Sequence, residues 1–154
     1  MGRYILTGAA GFIGARVASL LLHEGHNVLG VDNLSKAYDV RMKQYRLKGL
    51  LGREGFSYLQ ADISERRTLE QIQAIFPQAD GLINLAAIAG VRASTTDPWS
   101  YLSTNTLGAL NMFELARRQD IKRVVTASTS SIYGDLGKPP HNEEASSDHP
   151  LSPY

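Results

Sequence analysis

Three glycines, a pair of carboxylates and a run of hydroxyls carry the chemistry legible in these 154 residues. Gly8, Gly11 and Gly14 stand at three-residue spacing in Thr7-Gly8-Ala9-Ala10-Gly11-Phe12-Ile13-Gly14, directly after the apolar Tyr4-Ile5-Leu6. Glycine at the first position permits a tight turn. At the second it lets backbone approach a pyrophosphate, and at the third it lets a helix lie close to a sheet. The start of a helix offers free N–H groups and partial positive charge to phosphates. Asp32 ends a second apolar run, where a carboxylate accepts from the hydroxyls of an adenosine ribose. It repels a 2′-phosphate, which favours NAD, although Arg16, Lys36 and Arg41 supply nearby positive charge. Asp62 follows a third apolar run and has two readings: an acceptor for an adenine amino group, with Ile63 on the ring, or a helix N-cap. Ser128-Thr129-Ser130-Ser131 follows a strand-like segment and makes either a polar site or ordinary caps for the strand end. Arg92 can pair with a carboxylate or phosphate, or be a solvated loop residue.

The elements needed to position these groups follow from periodicity. Buried strands are expected at Tyr4–Leu6, Val28–Val31, Phe56–Leu59, Gly81–Leu85 and Val124–Ala127. Helices are expected from Phe12 to Glu24, where Gly25 ends the first, then from Val40 to Leu51 and from Leu69 to Phe76. A loop rich in Ala, Ser and Thr comes next, and Pro98 opens a long helix to Gln119. Trp99 and Tyr101 read as packing residues or helix starters. Residues beyond Tyr133 read as a surface segment over the ligand site. This alternation predicts an α/β, doubly wound parallel sheet of the Rossmann type, as one domain over residues 1–154. Ligands of such sheets bind beyond the carboxyl ends of the strands, and every motif above follows a strand.

Composition narrows the field. Basic and acidic residues nearly balance at net charge +1, so no general nucleic-acid or membrane footprint is expected. There is no cysteine, which excludes disulfides, thiolate catalysis and cysteine-ligated zinc. The four histidines lack metal-ligand spacing, so no metal is expected. The opening apolar run is too short for a signal peptide or a membrane span, and a cytoplasmic protein is the default.

On these motifs the chain resembles the extended short-chain dehydrogenase/reductase family, and within it the NAD-dependent sugar-nucleotide 4-epimerases that act on UDP-glucuronate or UDP-glucose. The resemblance runs through Thr7–Gly14, Asp32-Asn33-Leu34, Tyr38-Asp39-Val40-Arg41, Leu85–Arg92, Asn105 with Gly108, Ala127–Gly134 and Pro150–Tyr154. The family usually has His where this chain has Asn84. The resemblance implies NAD as cofactor, held by Gly8, Gly11, Phe12, Ile13, Gly14, Asp32, Asn33, Asp62, Ile63, Leu85, Ala86, Ala87, Asn105, Ala127 and Ser128. It implies Thr129 and Tyr154 as catalytic residues, with Arg92 and Ser130 on the substrate.

The implied reaction inverts carbon 4 of a UDP-sugar, UDP-glucuronate in particular. A base removes the 4-hydroxyl proton while hydride passes to NAD+. The 4-keto sugar turns over, and hydride returns to its other face. Tyr154 is the implied base, and Thr129 relays the proton. A free phenol is almost entirely neutral at pH 7, so the base needs nearby positive charge. The family's Lys, four residues after this Tyr, is not among these 154 residues, and neither is the substrate-binding domain. The expectation is therefore an N-terminal portion that binds NAD without turnover, from an enzyme that dimerises through helices such as Pro98–Gln119. Two alternatives stand beside it. One is a dehydratase or decarboxylase on the same scaffold, disfavoured because Thr129-Ser130-Ser131 lacks an Asp-Glu pair. The other is a non-catalytic NAD-binding sensor.

Overall fold

In the computed structural model, residues 1–135 and 140–154 are described. Five strands form one parallel sheet: β1 (Arg3–Thr7), β2 (Asn27–Asp32), β3 (Phe56–Gln60), β4 (Gly81–Asn84) and β5 (Val124–Thr126), in the order β3-β2-β1-β4-β5. The chain builds outward from β1 to β3, then returns to the other side of β1 and builds outward again. Strand order reverses between β1 and β4, which opens a crevice above their carboxyl ends. Register puts Thr7 beside both Val31 and Asn84, so the three strand ends finish level.

Adjacent residues of a strand point to opposite faces, and both faces here are covered. Ile5 goes to one layer with Leu29, Leu69, Ile72, Leu82, Met112 and Leu115. Its neighbour Leu6 goes to the other, with Ala9, Ala18, Val28 and Leu50. Each fully buried Leu or Ile contributes about 1.5–3 kcal/mol over an exposed one. The second layer is built mainly of alanines and partly buried residues against α1 (Phe12–His23). Small residues there bring that helix, and the glycine turn at its head, close to the sheet.

The other helices are α2 (Val40–Lys48), α3 (Arg67–Ile75), α4 (Val91–Thr96), α5 (Pro98–Tyr101) and α6 (Gly108–Arg118). The expected strands and first three helices are present within a few residues. Two expectations need correction. The Ala/Ser/Thr-rich loop contains α4, so Arg92 lies on a helix and not in a loop. Its turns are closed partly by side chains, with the Ser94 hydroxyl donating to the Val91 carbonyl and that of Thr95 to Arg92. The expected single helix from Pro98 is interrupted by a π-helical turn over Leu102–Leu107, between α5 and α6. Such turns widen a helix locally and recur at functional sites. The surface segment expected beyond Tyr133 includes residues 136–139, which lie outside the described residues. Of its described part, Tyr154 donates its backbone N–H to Ser94 Oγ at 3.2 Å, so the segment's end sits on α4.

Candidate cofactor site

A cleft of about 550 Å³ opens above the strand ends at the β1/β4 reversal. Its floor is the glycine turn. Gly8 has φ +69°, a conformation that favours glycine, and a Cβ there would stand 2.9 Å from the Leu85 carbonyl carbon. Gly14 is tighter: its Cβ would come within 2.0 Å of the Gly8 carbonyl oxygen. The turn thus seats the first turn of α1 directly over the end of β1. Gly11 is the N-cap of α1 and brings no side-chain cap, so the first N–H groups of the helix are left for a ligand. Side chains at Gly8 and Gly14 would collide with backbone and force the turn apart.

Asp32 forms the far wall. Its Oδ2 accepts from the Ala10 N–H at 3.1 Å and its Oδ1 from the Leu34 N–H at 2.8 Å. These two bonds fix the carboxylate between the glycine turn and the loop after β2. Lys43 reaches across from α2 to stand 3.5 Å from Oδ1. Below, the Tyr58 hydroxyl donates to the Asp32 carbonyl at 3.0 Å. Burial, then the Asp32 charge, push the Tyr58 phenol up to about 12, so it remains a neutral donor.

Asn33 and Asp62 join the ends of β2 and β3, with the Asn33 amide donating to Asp62 Oδ2 at 2.7 Å. The other Asp62 oxygen accepts from the N–H and hydroxyl of Ser64. Burial pushes the Asp62 carboxyl up, but the bonds from Ser64 and Asn33 together outweigh it and hold the group below its ordinary value. Asp62 closes a local turn, whereas α3 begins only at Arg67, so the helix-cap reading does not hold. Asp62 and Ile63 both line the cleft.

The opposite wall is Leu85, Ala86, Ala87 and Ile88, and two buried polar devices hold it. The Thr7 hydroxyl accepts from the Leu85 and Ala86 N–H groups and donates to Asn84 Oδ1 at 2.6 Å. Asn84 in turn donates to the Thr126 hydroxyl at 3.3 Å, so three strands are tied just below the cleft. Asn105, in the π-helical turn, accepts from the Ile88 N–H and donates to the Ile88 carbonyl. It supports the wall from behind and is not itself part of the lining.

The cleft therefore brings together Gly8, Gly11, Asp32, Asn33, Asp62, Ile63, Leu85, Ala86 and Ala87. Gly14 lies beneath it. Phe12 and Ile13, at the head of α1, are 79% and 64% exposed and do not line it. Ala127 and Ser128 are exposed past the end of β5 and do not line it. Thr129 and Ser130 sit at the start of a 3₁₀ turn (Ser130–Tyr133), and the Thr129 hydroxyl accepts from the Ser131 N–H, which is ordinary capping. Arg92 is exposed on α4. Tyr154 meets Tyr101 edge-on, with ring centroids 6.0 Å apart. Tyr101 is a buried packing residue, but Trp99 is 79% exposed and lines the cleft. Sequence reasoning also missed Ser35, Tyr38 and Lys43 in the lining. The signal for Lys43 was its spacing from Leu47, one helical turn on, which places it on the buried face of α2.

The profile of the NAD dependent epimerase/dehydratase family matches residues 4–154. The chain belongs to that family. NAD is the family's cofactor, and the glycine cradle, uncapped α1 and oriented Asp32 fit it. Among family members, the UDP-glucuronate 4-epimerase of Thermodesulfobacterium geofontis is 49% identical over 154 residues, which are 100% of this chain and 47% of that protein. A probable UDP-glucuronate 4-epimerase of Rhizobium meliloti is 41% identical over 152 residues, 99% of this chain and 44% of that one. The crystal structure of UDP-glucuronic acid 4-epimerase from Bacillus cereus, in complex with UDP-glucuronic acid and NAD, superposes with TM-score 0.85 at 28% identity. It covers 98% of this chain and 47% of that chain. The Thermus thermophilus UDP-glucose 4-epimerase complex with NAD gives TM-score 0.82 at 30% identity, over 99% and 46%. The chain thus spans about half the length of the curated relatives it matches.

Proposed function

We propose that the protein takes part in NAD-dependent 4-epimerisation of a UDP-sugar, with UDP-glucuronate as substrate, and that residues 1–154 are its NAD-binding domain. The observation that carries this reading is the cleft at the strand reversal, with Asp32 oriented by two N–H groups above a glycine turn that admits no side chain. The 49% identity to a protein named UDP-glucuronate 4-epimerase supports the choice of sugar.

NAD, when bound, would supply the redox chemistry at sugar carbon 4. The chain does the rest. The N–H groups at the head of α1 hold the pyrophosphate. Asp32 accepts from the ribose hydroxyls, and Asp62 accepts from the adenine amino group with Ile63 against the ring. Leu85, Ala86 and Ala87 would hold the cofactor against an apolar wall, braced by Thr7 and Asn105. Phe12 and Ile13 at the head of α1, and Ala127 and Ser128 past the end of β5, are further cofactor contacts in this reading, although they stand outside the cleft lining. In turnover, Tyr154 is the base on the 4-hydroxyl, Thr129 relays its proton, Ser130 bonds the sugar and Arg92 pairs with the glucuronate or pyrophosphate. The exposed Leu110 and Phe113 of α6 support a homodimer. This reading places the enzyme in the cytoplasm; no helix among the described residues is long and apolar enough to cross a membrane.

The test uses the complete gene product containing these residues, incubated with UDP-glucuronate and NAD+. The expected product is UDP-galacturonate by NMR, lost in Tyr154→Phe. A protein that binds NAD yet leaves UDP-glucuronate unchanged would contradict the proposal.

A further inference from the structure

Among the described residues, Lys43 is the one cation in the cleft lining. Its side chain is 8% exposed and that of Asp32 5%. Lysine is rarely buried to that degree without a partner. The ammonium donates to Ser35 Oγ at 3.1 Å and approaches Asp32 Oδ1 at 3.5 Å, with the Tyr38 ring centroid 5.3 Å away. An ammonium has three N–H donors. The third has no hydrogen-bond partner among the described residues. Asp32 does not need Lys43 for its orientation, because the Ala10 and Leu34 N–H groups already fix both oxygens.

The geometry points to Lys43 as a second determinant of cofactor recognition, one that donates to the adenosine ribose and sets how strongly the site separates NAD from NADP. This rests on the reading of the cleft as an NAD site. A ribose hydroxyl is both donor and acceptor, and the Asp32–Lys43 pair presents one partner of each kind. A 2′-phosphate at the same place meets an anion and a cation together. Asp32 repels it, Lys43 attracts it, and the two effects oppose each other. Discrimination against NADP is therefore weaker than a lone carboxylate would give. Removing Asp32's charge alone leaves a cation poised for the extra phosphate.

The experiment is calorimetric titration of the protein and its variants with NAD+ and with NADP+. Lys43→Met is expected to weaken NAD+ about tenfold, in line with loss of one charge-assisted hydrogen bond. It is expected to weaken NADP+ more, so the preference for NAD+ rises. Asp32→Asn is expected to reverse the preference, and Asp32→Asn with Lys43→Met to cancel the gain in NADP+ affinity. Lys43→Gln, one atom shorter, retains an N–H donor while removing charge, and answers the question if Lys43→Met does not fold. A purely structural Lys43 would lower thermal stability and weaken both cofactors by one factor, which would overturn the inference. So would equal NADP+ affinity in Asp32→Asn with and without Lys43. Wild-type protein that binds no NAD+ at millimolar concentration would overturn the cofactor reading itself. An unchanged preference in variants that do bind NAD+ would overturn only the role of Lys43.

Discussion

Gly14 faces the carbonyl oxygen of Gly8 so closely that a Cβ on Gly14 would stand 2.0 Å from it. Both partners are backbone within one turn, so neither can swing away. Gly14→Ala is expected to lower stability by about 3 kcal/mol, the upper range for overpacking. It should also lift the head of α1 off the sheet and weaken NAD binding. Urea denaturation and NAD+ titration of the variant check this; wild-type values for both would show that the turn is not constrained.

Thr7 is fully buried, and its hydroxyl accepts from two backbone N–H groups of the cleft wall. Thr7→Val keeps the shape and leaves Leu85 and Ala86 without their acceptor. An unsatisfied buried polar group costs about 1–3 kcal/mol. Denaturant melts should register a loss of that size, with faster amide exchange at Leu85 and Ala86 than at the middle of β1.

How much of this was legible beforehand varies by residue. The strand–helix alternation, the glycine turn and Asp32 were readable because apolar runs and glycine spacing are local signals. Helix α4 was not, because Ala, Ser and Thr show no apolar stripe, and the helix is closed partly by Ser94 and Thr95 side chains. Lys43 was hidden for a different reason. On α2 the polar Lys43 is buried while Met42 and Tyr45 are exposed, since that face turns toward the Asp32 carboxylate and not toward an apolar layer. The π-helical turn falls on Ser103-Thr104-Asn105-Thr106, a run of weak helix formers inside the expected helix, which marks a weak point without telling a widened turn from a break. Asn105 was expected to touch the cofactor, but in the structure it bonds the Ile88 backbone, a contact 17 residues away, and does not line the cleft.

That contact gives the third prediction. Asn105→Ala removes both hydrogen bonds to Ile88 without touching the cleft lining. NAD+ affinity should fall several-fold through a looser wall, with stability lower by about 1–2 kcal/mol. Calorimetry with thermal melts measures both. Unchanged affinity at reduced stability would assign Asn105 to folding alone.

Asp62 gives a pH prediction. Its carboxyl lies below the ordinary value of 3.8 in the folded protein. A depressed native value means the unfolded chain binds the proton more readily. The stability from Asp62 is thus fully present above pH 3.8 and is lost as pH falls through the lower native value. Asp62→Asn should flatten the acid limb of a stability–pH curve and leave its slope above pH 6 unchanged. Denaturation series from pH 3 to 7 test the difference.

The central claim is that the cleft between the glycine turn and Asp32 binds NAD, and direct titration tests it most simply. Folded wild-type protein titrated with NAD+ should show saturable binding with one site per chain. Asp32→Ala should weaken it by tenfold or more while the protein stays folded. No binding to folded wild-type protein at millimolar NAD+, or equal binding by Asp32→Ala, would contradict the account.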